Sequence, residues 1–162
     1  MLSKQNWYSK LTSDPDDLSP IADAYDYYIE QYEQGVHESN ALVKRGNRVE
    51  QASTLLPGIS GHRFAQLQEI EQIIGFLENR EKRLLGAKRR SFREHYNREL
   101  TDSMVEKYAE TDPDVLDLAE IRNMFALARN KFLSLTKHHE FLHFQLTNIT
   151  KLREKGIEGT LL

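Results

Sequence analysis

The chain has no cysteine, four prolines, eight glycines and one tryptophan in 162 residues. Without cysteine there is no disulfide framework, no thiolate nucleophile and no Cys-based zinc site. So little proline and glycine leaves long stretches unpunctuated, as long helices require. Long apolar runs are also missing, and none approaches the roughly 18 residues of a membrane-spanning helix. Residues 1–7 lack the basic-then-apolar pattern of a secretory signal. These absences predict a protein of the reducing cytoplasm with no membrane partner. There is no Gly-rich phosphate loop and no GxSxG. No acidic pairing stands out beyond loops and helix starts; Asp112 and Asp114 could suggest a carboxylate pair, but read as a Pro-directed turn with helix-start acids favoured by the dipole. Neither an enzyme nor a bound cofactor is expected.

Charge is plentiful but unevenly placed. Charged residues make up 29% of the chain and its net charge is −3. Between positions 82 and 98, Lys82, Arg83, Lys88, Arg89, Arg90, Arg93 and Arg98 are opposed by Glu94 alone. That window is net +6, so the remainder sums to −9. Phe92, His95 and Tyr96 are interleaved with the cations. Guanidinium groups can neutralise phosphates and nearby rings can stack on unpaired bases. The stretch is therefore a candidate single-stranded nucleic-acid site, with Phe92 and Tyr96 as stacking residues. The competing reading is a solvated helix face.

Periodicity predicts an all-α fold, a bundle of long helices with coiled-coil character, forming homo-oligomers. Residues 1–57 read as an acidic N-terminal helical appendage, with seven Asp and Glu against Lys4 and Lys10 in the first 34 positions. Ser19-Pro20 should open a helix that Gly35 ends, and a weaker helix over 38–56 is interrupted at Gly46. Pro57-Gly58 and Gly61 predict a break, and residues 58–162 form the oligomerisation and nucleic-acid-binding body. Within it a helix over about 62–98 carries an apolar stripe through Phe64, Leu67, Ile70, Ile74, Leu77, Leu84, Leu85 and Phe92. The spacing puts Lys82, Arg89 and Arg93 on one row, with Arg83 and Arg90 on the adjacent row. Thr101 or Asp102 should cap a short helix to about Ala109, and Asp112-Pro113-Asp114 should start the last one. There Leu118, Ile121, Phe125, Ala128, Phe132, Leu135, His139, Leu142, Leu146 and Ile149 alternate at spacings of three and four. A seven-residue repeat held this long is a coiled-coil seam. It needs helical partners, from residues 62–98 or from other copies of the chain.

His139-Glu140-Phe141-Leu142-His143 matches HExxH, a spacing that puts two imidazoles on one helix face around a zinc. His139 occupies a seam position, however. The metzincin extension would need Gly where Leu146 stands and His where Ile149 stands. A third ligand could come only from Glu154 or Glu158. A histidine packed in a helical seam is the favoured reading, and a zinc hydrolase the alternative.

From Ala87 onward the chain resembles the UvsY family of recombination mediators of large tailed phages. The resemblance is carried by Lys88-Arg89-Arg90-Ser91-Phe92-Arg93-Glu94-His95-Tyr96, by Asp112-Pro113-Asp114-Val115-Leu116, and by residues 144–153 from Phe144 to Arg153. It departs from the family at His95, which replaces the first residue of a Tyr pair, and at His143, which replaces a Gly. The resemblance implies an all-helical homo-oligomer that binds single-stranded DNA. It also implies that the protein helps a recombinase displace a single-strand-binding protein and load on that strand, with DNA contacts at Lys88, Arg89, Arg90 and Arg93. The rival class is a coiled-coil structural or assembly protein, such as a phage packaging component.

Overall fold

The computed structural model describes residues 6–14, 17–43, 48–96 and 99–156. These form five α-helices and no strand: α1 Trp7–Ser13, α2 Ile21–Leu42, α3 Val49–His95, α4 Asp102–Glu110 and α5 Pro113–Glu154. Local chemistry sets several of the starts. The Asn6 side chain accepts from Ser9 N at 2.9 Å and caps α1. Thr101 caps α4 by accepting from Met104 N. Asp112 accepts from Asp114 N at 3.1 Å and caps α5, with Pro113 in its first turn where no N–H is missed. Ser19 caps nothing; its own N–H bonds the Asp17 carboxylate at 2.9 Å, and α2 has no side-chain cap.

The two long helices, α3 and α5, run antiparallel. Val49, Ala52 and Leu56 cluster with Leu142, Leu146 and Ile149 at one end. Lys88 reaches Asp112 and Asp114 at the other. At 1.5 Å per residue, α5 is about 63 Å long. Helix α2 lies parallel to α5: Tyr25 meets Phe125, Tyr28 and Tyr32 meet Phe132, and Ser39 meets His139. The base of the molecule is thus a three-helix bundle, and its tip is the α3–α5 pair with α4 laid against α3. Trp7 and Leu11 of α1 join Ala24, Tyr28, Leu67, Ile70, Phe125 and Phe132 in the larger core.

Of the ten seam positions of α5, nine are buried and Ile121 is half-buried. The chain's own α2 and α3 cover that seam. Each fully buried Phe or Leu contributes about 1.5–3 kcal/mol, so the seam is satisfied without a second copy.

Three expectations are corrected. No break falls at Pro57-Gly58, because α3 runs unbroken from Val49 to His95 with Pro57 inside it. Proline interrupts one backbone hydrogen bond. Burial of Leu56 beside it, at 2% exposure, holds the helix against that loss. The expected boundary between residues 57 and 58 therefore lies mid-helix, and α1 and α2 share a core with α3 and α5. Gly35 does not end α2; it is buried where α2 meets α5. A Cβ there would stand 2.5 Å from Leu135 Cδ2 and 3.0 Å from Arg63 Nε, so any larger residue makes those side chains shift. Finally, Phe64 is 49% exposed while Arg63 is 1% exposed. The bundle interior chose the arginine because it has partners there. Arg63 donates to Gln31 and Gln66, both at 2.9 Å, and to Glu38 at 2.8 Å. The interruption expected at Gly46 lies outside the described residues.

Candidate nucleic-acid interface

The basic stretch forms the last turns of α3 and folds against α4 and the start of α5. Those two elements are acidic. Lys88 Nζ lies 2.8 Å from Asp112 and 2.5 Å from Asp114. Arg89 pairs with Glu106, and Arg93 with Asp102 at 2.8 Å. Hydrogen bonding to Asp112, then to Asp114, holds the Lys88 ammonium above its ordinary pKa. The same Lys88 contact holds the Asp112 carboxyl below its ordinary value. From 88 to 114 the chain carries six cations and seven acids. The window that is net +6 in the sequence becomes part of a nearly neutral tip.

Lys82, Arg83 and Arg90 form no ion pair among the described residues, but they do not share a track. Lys82 borders a shallow groove with Glu81, Leu85 and Arg122, between α3 and α5. Arg83 lines a cleft of about 710 Å³ with Tyr8, Thr12 and Phe76, between α1 and α3. Arg90 is exposed beside the tip. Arg98 lies outside the described residues.

The rings do come together, and with a member that sequence reasoning missed. Phe92, at the last turn of α3, sits 6.5 Å from Tyr96 and 5.9 Å from Tyr108 of α4. Tyr96 and Tyr108 lie 6.0 Å apart with planes 21° from parallel. Tyr96 is 48% exposed and Tyr108 38% exposed. Phe92 is half-buried and acts as the floor. Tyr108 stands four residues after Met104 and one before the buried Ala109. Its place on α4 gave no hint of the rings on α3, because only the packing of α4 against α3 brings them together. The result is a small stacking platform with Arg90 and Lys107 nearby in sequence.

The HExxH motif is split between interior and surface. His139 is 1% exposed and its Nε2 lies 2.7 Å from Ser39 Oγ, while His143 is exposed. Ser39 Oγ also donates to Gly35 O at 2.7 Å. To meet a metal with His143, His139 would have to leave the seam and abandon Ser39. Among the described residues no three His, Asp or Glu side chains are grouped to hold a metal ion. Glu154 is exposed at the end of α5, and Glu158 lies outside the described residues. No helix among them is long and apolar enough to cross a membrane.

Compared with models of known families, with curated proteins and with solved structures, the chain matches none. What the folded tip defines by itself is a class: an all-helical scaffold presenting an aromatic platform amid self-paired cations.

Proposed function

We propose that this protein is a non-enzymatic, self-associating single-stranded DNA binder that acts as a recombination mediator. In this reading it helps load a recombinase onto the strand by displacing a single-strand-binding protein. One observation carries the binding step: the exposed Tyr96–Tyr108 pair on its Phe92 floor, with Arg90 exposed on the same last turns of α3. Unpaired bases stack on such a platform regardless of sequence. The mediator role rests on the UvsY resemblance and goes no further than the residues quoted for it.

A second reading is favoured by a different observation. Lys88, Arg89 and Arg93 already have carboxylate partners, and a strand must displace those acids to use these cations. A structural or assembly protein would need such pairs only to hold α4 and the start of α5 on α3.

Titration with single- and double-stranded oligonucleotides at several salt concentrations separates the two. The mediator reading expects single-strand binding with a shallow salt dependence, about −0.7 log units per neutralised phosphate. Arg90→Ala should flatten the slope by about that amount. Tyr96→Ala and Tyr108→Ala should each weaken binding by about 1–3 kcal/mol at unchanged slope, because stacking releases no counterions. No binding by the wild type at low salt would leave the assembly reading standing.

A further inference from the structure

The outward face of α5 carries a second seven-residue repeat, half a turn from the buried seam. Positions 116, 120, 123, 127, 130, 134, 137, 141, 144 and 148 keep the 3-4 alternation, and every one is exposed. Their chemistry is not that of a solvated helix face. Leu116 and Leu127 are 52% and 54% exposed, and Phe141 and Phe144 are both 62% exposed. Asn123, Asn130, Ser134 and Asn148 are polar without charge. Only Glu120 and Lys137 are charged. Depletion of charge with enrichment of aromatics marks the centre of a protein interface.

We infer that this face pairs with the same face of a second copy, antiparallel, about a two-fold axis between residues 128 and 129. The charge pattern selects the register. In an antiparallel pair, positions that sum to a constant face each other. With the axis at that point, Glu120 faces Lys137 of the second copy, and by symmetry Lys137 faces its Glu120. The only two charges on the stripe are thereby neutralised twice. The same register sets Leu116 against Phe141, Asn123 against Ser134 and Leu127 against Asn130 of the second copy. A self-complementary patch of this kind closes as a dimer and does not extend into a filament. Polar Asn within an otherwise apolar seam specifies register at some expense of stability. Overlap from residue 113 to 144 gives about 48 Å of contact at 1.5 Å per residue. The buried seam cannot serve this purpose, because α2 and α3 occupy it. The two tips then lie at opposite ends of the pair. The inference rests on self-association and not on DNA binding, and its test uses no nucleic acid.

The cysteine-free chain gives a clean background for cross-linking. Asn123→Cys and Ser134→Cys, each purified alone, should form no disulfide dimer on mild oxidation, since each faces a different position of its partner. Mixed, they should cross-link. Sedimentation should give a wild-type dimer at micromolar concentration, and Phe141→Asp with Phe144→Asp a folded monomer with unchanged helicity. Glu120→Lys or Lys137→Glu alone should raise the dimer dissociation constant about tenfold by opposing like charges twice. Glu120→Lys together with Lys137→Glu should restore it. A wild-type monomer overturns the proposal, and so does a dimer indifferent to the single reversals or failing to cross-link in the mixture.

Discussion

The base and the tip of this molecule hold their helices together by different means. At the base, three helices enclose a polar layer inside an apolar bundle. Arg63, Gln31, Gln66 and Glu38 bond one another beside Ser39 and His139. Arg63, Gln66, Ser39 and His139 are buried there and depend on their partners, while Gln31 and Glu38 close the layer at its half-exposed rim. At the tip, two helices and a short third meet through exposed ion pairs and half-exposed rings. The Arg93–Asp102 side chains are 61% and 91% exposed. Water can replace either partner there. A charge inside the base specifies how helices pack, whereas a charge at the tip can be exchanged for a ligand.

Substitutions should separate the two regions by magnitude. The largest effect belongs to Phe132→Asp, which puts an unpaired carboxylate against Tyr28 and Tyr32 at a fully buried site. A loss of several kcal/mol is expected, against typical total stabilities of about 5–15 kcal/mol. Circular dichroism should show an unfolded or barely folded chain at 25 °C, and a cooperative melt close to wild type would break the distinction. Next is Gly35→Val, whose added atoms meet Leu135 and Arg63. Chemical denaturation should register a loss of about 1–3 kcal/mol, and a neutral result would mean that α2 can shift away from α5.

A smaller effect concerns pH. Burial first, then His138 and Arg63, hold the His139 imidazole below its ordinary pKa, with Glu38 opposing. The folded pKa lies below the unfolded value near 6.5, so the unfolded state takes up the proton first as pH falls. Stability is therefore full above about pH 7 and declines through and below 6.5, by at most about 1.4 kcal/mol per pH unit. His139→Leu should flatten this slope, because it removes the titrating group while Ser39 keeps its bond to Gly35 O. Denaturation midpoints measured from pH 5 to 8 would show it, and an equally steep variant would place the pH sensitivity elsewhere.

The smallest stability change should come from the tip. Asp102→Asn with Glu106→Gln removes two exposed ion pairs, each contributing about 0–1 kcal/mol. Thermal melts should barely move. Under the mediator reading the same variant should bind single strands more tightly, with a slope steeper by about 1.4 because two arginines are released. Unchanged binding would count Arg89 and Arg93 as scaffold only.

Periodicity and caps were legible in the linear chain because they are local. The 3-4 pattern of α5 named its buried face, and Thr101 and Asp112 marked helix starts by the hydrogen bonds short polar side chains offer to nearby amides. Local breakers misled where packing outweighed them. Pro57 and Gly35 both read as interruptions, yet one is carried by burial of its neighbours and the other exists to admit a second helix. Which of two adjacent residues enters the core was also beyond local reading, since Arg63 enters only because Gln31 and Glu38 arrive from α2.

What the sequence determined by itself is the all-helical character, the long C-terminal seam and the clustering of cations at 82–98. Each depends on spacing along one chain segment. The tertiary structure alone decided what those features amount to. It covered the seam from within and set Asp102, Glu106, Asp112 and Asp114 against the cations. It also carried Tyr108 to Phe92 and Tyr96. Charge and stacking act through space over a few ångströms, and the residues that neutralise or complete a site can be distant in the chain.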